Sequence, residues 1–514
     1  MSANNHQKTW KRAAAAGAFI AVFILLFQLI GQIFIFKDTN SYNSIRSFYK
    51  IAPQTVDVAF IGSCHVHYNI NPMQLWDQDG MAACNLTNSN QTFEVAVLAL
   101  KECLKTQSPR LVVLDLLAAA YDDTYIYDGG IGDYIQENMD AYHFSLDKVK
   151  AAFQLRRYGN PFEYAFGLFY HKARYADLSK TDFTDTVDAS TRDYQYKPNQ
   201  GIENVVSTYS EQAATARDFD ANEKKSLLEF IRICKENGIE LLFVSAPYQL
   251  KEGEMGFYKT CREIADENGI SFLDFNSVEQ QLSFTPQSFS EAYHLNVSGV
   301  KQYTSYLGEY IANHYQIPDQ RENPLYDAWR QDSLRARQIV KSYALHDARN
   351  LSDFLAVLNE NRNDYVTCVN VYSCGIEDLP EGDIEQLKEL GIDPPPYLDS
   401  YAAVIDGGQA TAEHTSDTPA QVNYSLGDMS FFVKSVGYNC WSLSDEFSAS
   451  DTVVKISHFE GKDDASVAAK QSDLQEGETD NTEIRIPKGG FHFVVFDKAL
   501  GKVVYNDVWS SSEK

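Results

Sequence analysis

Basic residues are scarce in this chain. Its 514 residues include 44 Lys and Arg against 71 Asp and Glu, a formal net charge of −27, and a surface of that sign repels phosphate backbones, so nucleic acid is excluded as an expected partner. Cysteine spacing for metal is missing as well. No two of the eight cysteines stand as Cys-x-x-Cys, and zinc-finger spacing is absent. They outline no disulfide framework either. Cys103, Cys234 and Cys261 fall in helix-like segments and read as small buried apolar residues, while Cys368, Cys374 and Cys440 leave a pairing open. No internal repeat is evident, which removes repeat architectures.

Charge of either sign is absent from residues 13–36. At about 1.5 Å per residue this run reaches roughly 36 Å, enough for a bilayer core with some tilt. Lys8, Lys11 and Arg12 precede it and only Lys37 follows closely, so the positive-inside rule predicts a cytoplasmic tail at 1–12 and everything beyond 37 outside. The bulky flank after Gly31 argues for a retained signal anchor over a cleaved signal peptide. A single-pass cell-membrane protein with extracytoplasmic domains is expected.

The length predicts two cores, and an apolar content of 44% supports folded domains. A polar stretch at 37–54 lifts the first domain off the lipid. Strand signals at 56–61, 111–117, 239–245 and 270–275 then alternate with helical periodicity at 92–105, 222–237, 256–268 and 298–315. Short, nearly continuous apolar strands between helices predict a doubly wound parallel sheet. Gly238 and Gly269 are the expected helix stops.

An aromatic-rich insertion at 118–210 interrupts the pattern with Tyr121, Tyr125, Tyr127, Tyr134, Phe162, Tyr164, Phe166, Phe169, Tyr170 and Tyr175. These rings read first as core and second as a sugar-stacking groove. A charged helical linker is expected at 317–351. A second domain follows with strands at 365–372, 401–405, 431–436 and 491–496, a helix at 383–390, and a polar, turn-rich segment at 460–481.

The chemistry gathers at the first strand end, where Gly62-Ser63-Cys64-His65 closes an apolar run. Open α/β sheets place their sites there. Gly62 permits a tight turn and close approach of substrate, and the residue after it, Ser63 or Cys64, can act as a nucleophile near amide groups that hold an oxyanion. Such a nucleophile needs a base and an orienting group. His294, with Glu291 three residues before it, fits both roles. The run Cys64-His65-Val66-His67 also invites a metal, but strand-like alternation would set Cys64 and Val66 opposite His65 and His67, and no second ligand pair accompanies them. No metal and no cofactor are expected. His171 reads as a hydrogen-bonding core or groove residue.

Four blocks in order, 61–72, Asn85-Leu86-Thr87-Asn88-Ser89-Asn90-Gln91, 170–175 and His294-Leu295-Asn296, resemble the membrane-anchored branch of the SGNH/GDSL hydrolase superfamily, which includes D-alanine transfer proteins. The resemblance spans 50–316. It implies a flavodoxin-like three-layer α/β/α domain and esterase or O-acyltransferase chemistry on cell-envelope polysaccharide or a related acylated carbohydrate. Carried over by position, Cys64 attacks the acyl carbon, His294 serves as base and then acid, and Glu291 orients it. The Cys64 amide with Asn90 or Gln91 would hold the oxyanion, His65 would assist in substrate binding, and Ser63 is the alternative nucleophile. The chain departs from the family at Cys64, where a hydroxyl is usual, at Thr87, where Gly is common, and at Glu291, where Asp is usual. A thiol in such a place can be a strong nucleophile.

Residues 355–512 resemble an interleukin-like EMT-inducer domain through 387–391, 400–408, 435–438 and 489–497, which implies a β-rich, sandwich-like fold that binds carbohydrate or protein. His414, His458 and His492 are scattered there without a nucleophile beside them. Two readings stand beside the enzyme: a catalytically inactive glycan-binding or envelope-assembly factor, and a thiol acyl carrier loaded by a membrane acyltransferase partner.

Overall fold

The computed structural model describes residues 2–121, 131–184, 209–211, 213–251, 253–278, 282, 284–372, 374–443, 452–458, 469–470 and 490–509. They form two compact units, Met1–Ala336 and Arg337–Lys514. The first begins with helix α1 (Ser2–Phe34), in which the 25 residues Trp10–Phe34 are long and apolar enough to cross a membrane. After α2 (Asn40–Phe48) come β1 (Val58–Gly62), α3 (Cys64–Asn69), α4 (Pro72–Asp79), β2 (Ala83–Thr87), α5 (Phe93–Cys103) and β3 (Leu111–Asp115). The insertion supplies α6 (Ile131–Ala141), α7 (Leu146–Gln154), α8 (Pro161–Ala165) and α9 (Leu168–His171). The sheet resumes with α10 (Ala221–Glu236), β4 (Glu240–Ser245), α11 (Glu254–Asn268) and β5 (Ser271–Asp274), and the hairpin β6 (Phe289–Glu291) and β7 (His294–Leu295) leads into α12 (Val297–His314).

The five strands run in the order β2-β1-β3-β4-β5, all parallel. That is the doubly wound, flavodoxin-like order, whose switch point lies beside the first strand. Every residue of β1, β2 and β3 is buried, because helices cover both faces; α5 packs with α10, and α4 with α12. Side chains close the helix starts: Thr92 Oγ1 accepts Val95 N–H, and Asn296 Oδ1 accepts Gly299 N–H. Gly269 ends α11 with φ +68, and Gly238 follows α10 with φ +66.

Sequence periodicity passes over edge strand β2, since Asn85 and Thr87 interrupt its apolar run. Tertiary contacts bury it: Asn85 Nδ2 donates to Val66 O at 3.2 Å and Ile70 O at 3.0 Å. The expected strand 111–117 ends at Asp115 and turns into a 3-10 segment, Leu117–Ala120. The insertion is not uniformly core. Tyr121 and Tyr164 are buried, whereas Tyr134, Phe162, Phe169, Tyr170 and Tyr175 are exposed; Tyr125 and Tyr127 lie outside the described residues.

The segment expected as a helical linker holds a helix, within which the boundary between the two units falls. Helix α13 (Asp327–Asp347) buries Trp329, which stacks on Trp76 at 6.0 Å within the first unit, while its last turns give Leu345 to a core of the second.

In the second unit, α14 (Leu351–Glu360), β8 (Tyr365–Tyr372), α15 (Glu381–Glu389), β9 (Ser400–Asp406), β10 (Gln409–Thr415), β11 (Ala420–Leu426), β12 (Met429–Ser435), α16 (Tyr438–Leu443), β13 (Val453–His458), β14 (Ala469–Lys470), β15 (Gly490–Asp497) and β16 (Lys502–Trp509) follow. Sheets β10-β9-β8-β15-β16 and β11-β12-β13-β14 enclose Val366, Cys368, Val404, Phe431, Val433 and Phe496. The opposite face of the five-stranded sheet packs Val369 and Val371 against Phe354, Leu358 and Leu387 of the helices, as period-two alternation requires. No disulfide joins Cys368, Cys374 and Cys440 to one another. Cys368 is enclosed between the sheets, and burial pushes its thiol up to about 12. Apart from β14, residues 460–481 lie outside the described residues.

Gly62 shows how tightly the switch point is packed. A Cβ there would lie 2.6 Å from Val66 Cγ2 and 2.8 Å from Asp115 Cβ. Gly62→Ala is therefore expected to destabilise the protein by about 1–3 kcal/mol. Thermal unfolding checks it, and an added Val66→Ala should recover part of the loss.

Candidate functional site

At the carboxyl end of β1, Cys64 is the first residue of α3, capped by Ser63 in an extended conformation. The helix corrects the expected strand-like alternation of 64–67. Cys64 lines the site cavity with partial exposure, whereas His65 is buried beneath it. His67 turns aside to Thr87, with Nδ1 3.1 Å from Oγ1. Among the described residues no group of three or more His, Cys, Asp or Glu could hold a metal ion.

His294 arrives on the β6–β7 hairpin. Glu291 and His294 are cross-strand partners around a two-residue turn, so their side chains meet on one side. Glu291 Oε1 pairs with His294 Nδ1, and its Oε2 accepts Tyr293 N–H at 3.2 Å. Two bonds fix the hairpin: Gln249 N–H donates to Ala292 O at 2.8 Å, and Leu295 N–H donates to Asn69 Oδ1 at 2.9 Å. Since Asn69 ends the helix that Cys64 begins, this bond sets thiol against imidazole.

The Nε2 side of His294 faces the Cys64 sulfur without a hydrogen bond of regular geometry. Burial by itself would lower the imidazole pKa. Charge on the Cys64 sulfur, contact with it, and the Glu291 carboxylate together outweigh burial and raise the value to about 9. The arrangement favours an imidazolium held between sulfur and carboxylate.

Beneath lies a second polar layer. His65 Nδ1 is 3.9 Å from Asp115 Oδ2, and neither ring nitrogen has a hydrogen-bond partner. Burial, aided by His294, holds the His65 pKa well below the ordinary value. Burial also raises Asp115 to about 7, against the Leu117 and Ala246 amides that favour its charged form. Burial thus pushes both members of this lower pair toward their neutral forms.

The cavity above has a volume of about 480 Å³. Cys64, His294, Glu291 and Asn90 line it with Tyr68, Tyr121, Tyr134, Tyr248 and Tyr293, and with Arg217 and Lys251. Tyr68 packs its ring edge-on to His294 at 4.9 Å and accepts Asn40 Nδ2–H at 2.7 Å. Asn90 holds φ +45, a left-handed conformation that Asn tolerates better than most residues.

The structure thus brings Cys64, His294, Glu291 and Asn90 together. Ser63 is buried outside the cavity wall, 3.8 Å from the Cys64 sulfur through its Oγ. Gln91 is buried and engaged by Asn88 Nδ2 at 2.6 Å, and His65 is covered, so neither reaches the cavity. Thr87 donates from Oγ1 to Ser44 Oγ at 3.0 Å and also lies outside the wall. His171 pairs with Asp140 at 2.6 Å in a buried contact remote from this wall. Sequence reading missed Asn69 and Asn85, the positioning residues, and Tyr68, Tyr248, Arg217 and Lys251 in the wall. Tyr68 and Asn69 carried a signal in their place in the first block and Asn85 in the second; Tyr248, Arg217 and Lys251 carried none.

No family model matches the chain, and no curated protein matches it. Sixteen solved chains do. One is a protein assigned as an acylhydrolase from Bacteroides fragilis, 12% identical, covering 54% of this chain and 96% of its own, with a TM-score of 0.28. Another is a GDSL-like lipase from Bacteroides thetaiotaomicron, 11% identical, covering 54% of this chain and 98% of its own, with a TM-score of 0.29. Likenesses at these values carry nothing about residue roles or substrate.

Two outcomes follow from the geometry. Cys64→Ala removes the largest influences that raise His294 and leaves the burial that lowers it, so the imidazole pKa should fall below about 9; titration of the labelled ring by NMR reads this. Asn69→Ala removes the acceptor for Leu295 N–H. Leaving one buried amide unpaired costs about 1–3 kcal/mol, and thiol alkylation at Cys64 should change its pH profile as the imidazole moves.

Proposed function

We propose that this protein is an SGNH-like esterase or O-acyltransferase with a cysteine nucleophile, working on acyl groups of a cell-envelope polysaccharide or related carbohydrate. The observation that carries the reading is the convergence of Cys64, His294 and Glu291 in the wall of one tyrosine-rich cavity. Tyrosine rings suit sugar faces, offering apolar area with a polar tip.

In this reading the Cys64 sulfur attacks the ester carbonyl and the C–O bond breaks. His294 gives its proton to the leaving alcohol, so an acyl thioester and a free hydroxyl result. Forming the thioester removes the charge on sulfur that held the imidazole pKa up. His294, now neutral, takes a proton from water or an acceptor hydroxyl, whose oxygen attacks the thioester and restores the thiol pair. Glu291 keeps Nδ1 protonated throughout.

Helix α1 anchors the chain in this proposal, with a cytoplasmic N-terminus and both units outside. The C-terminal unit is read as an interleukin-like EMT-inducer-type module that holds glycan; its paired antiparallel sheets suit a binding role. A membrane acyltransferase would be a partner if Cys64 receives its acyl group from a carrier.

The full chain in detergent, offered acetyl and D-alanyl esters of carbohydrates, tests the enzyme. Turnover is expected, with an acyl thioester on Cys64 in the mass spectrum. Cys64→Ala and His294→Ala should each lower kcat by at least about a thousandfold, and Glu291→Gln by less. No turnover and no thioester in the unsubstituted protein, with saturable glycan binding retained, would leave the binding-factor reading instead.

A further inference from the structure

We propose that the insertion, through residues 141–176, makes a second membrane contact, seating aromatic rings in the leaflet that surrounds the end of α1. The inference rests on α1 being a membrane span. Three observations carry it.

The insertion touches the apolar helix itself. Phe27 lies 6.0 Å from Phe166 and 5.1 Å from Phe169 between ring centroids, and Leu168 packs beside Gly31. Phe27 is seven residues before Phe34, where α1 ends, or about 10 Å along the axis. Rings meeting Phe27 therefore sit at a depth where an interfacial apolar face resides, roughly 5–10 Å into the headgroup and acyl boundary. The rings continue outward: Phe144 lies 5.4 Å from Phe166, and Phe144 and Phe169 are 37% and 45% exposed. Water is an unfavourable cover for such a surface, and it adjoins a helix that lipid would already surround.

Charge points the same way. Of the six Lys and Arg in residues 141–176, Lys148 is buried, Arg157 pairs with Glu94 and Glu223, and Arg174 pairs with Asp182, which leaves three toward solvent. Lys150, Arg156 and Lys172 are exposed. Aromatic rings with basic neighbours are the composition that binds anionic lipid surfaces.

The insertion is also fixed to the helix end. Arg174 Nη1–H donates to Phe34 O at 2.6 Å and Ile35 O at 2.9 Å, closing terminal carbonyls of α1, and its guanidinium lies over the Phe36 ring at 4.0 Å. Tyr170 donates to Asp133 Oδ1 at 2.9 Å, next to Tyr134 of the cavity wall. Asn40, also in that wall, follows Phe34 by six residues and so stays within about 22 Å of the helix end. The seat would keep the cavity close to lipid, where a membrane-borne acyl donor or glycan is presented.

The test is carbene photolabelling of the full chain in vesicles of phosphatidylcholine and phosphatidylglycerol, with the probe on the lipid acyl chain and adducts mapped to tryptic peptides. Labelling of both α1 and peptide 158–172, above the level of C-terminal-unit peptides, is expected. Phe144→Ser with Phe169→Ser should abolish the label on 158–172 and leave α1 labelled. Label on α1 alone would overturn the seat while the span stands. Label on neither would overturn both, and an unchanged label in the double variant would overturn the assignment to these rings.

Discussion

The hydrogen bond from Leu295 N–H to Asn69 Oδ1 ties the helix that begins with Cys64 to the strand that begins with His294. More than two hundred residues separate them in the chain, so neither element can place the other by local geometry. A buried amide that must find an acceptor supplies the registration. Gly62 reinforces it from below, because only a residue without Cβ lets Val66 and Asp115 close on the strand end.

Electrostatics at the site divides into two layers. The lower pair, His65 and Asp115, is pushed toward neutrality by burial, each in its own direction. The upper one, His294 between sulfur and carboxylate, overcomes burial and favours charge.

The chain's own charge distribution separates its surfaces. The chain as a whole is acidic, which favours solvation; the aromatic segment beside α1 exposes Lys150, Arg156 and Lys172. Arg174 and the Phe27 contacts tie that segment to the apolar helix. The apolar helix α1, the insertion and the cavity therefore form a connected series within the first unit, through Phe34, Tyr170, Asp133 and Asn40.

Sequence alone determined the elements whose patterns are local. The apolar strands 56–61, 239–245 and 270–275, the helices with capping residues or glycine stops, and the uncharged run at 13–36 each carry their own signal, because one face or the whole segment must leave water. It also singled out Cys64 by its place at a strand end, and His294 with Glu291 by chemical type and spacing. Tertiary structure decided the rest. Strand β2 is polar at Asn85 and Thr87 and becomes a strand only because neighbouring groups satisfy it; the helix α13 is charged yet buries Trp329 and Leu345; Gln91 and Ser63 turn from the cavity while Asn90 lines it. Whether a side chain faces a cleft depends on which remote segment covers its other side, and packing between distant segments has no period that a linear reading can detect.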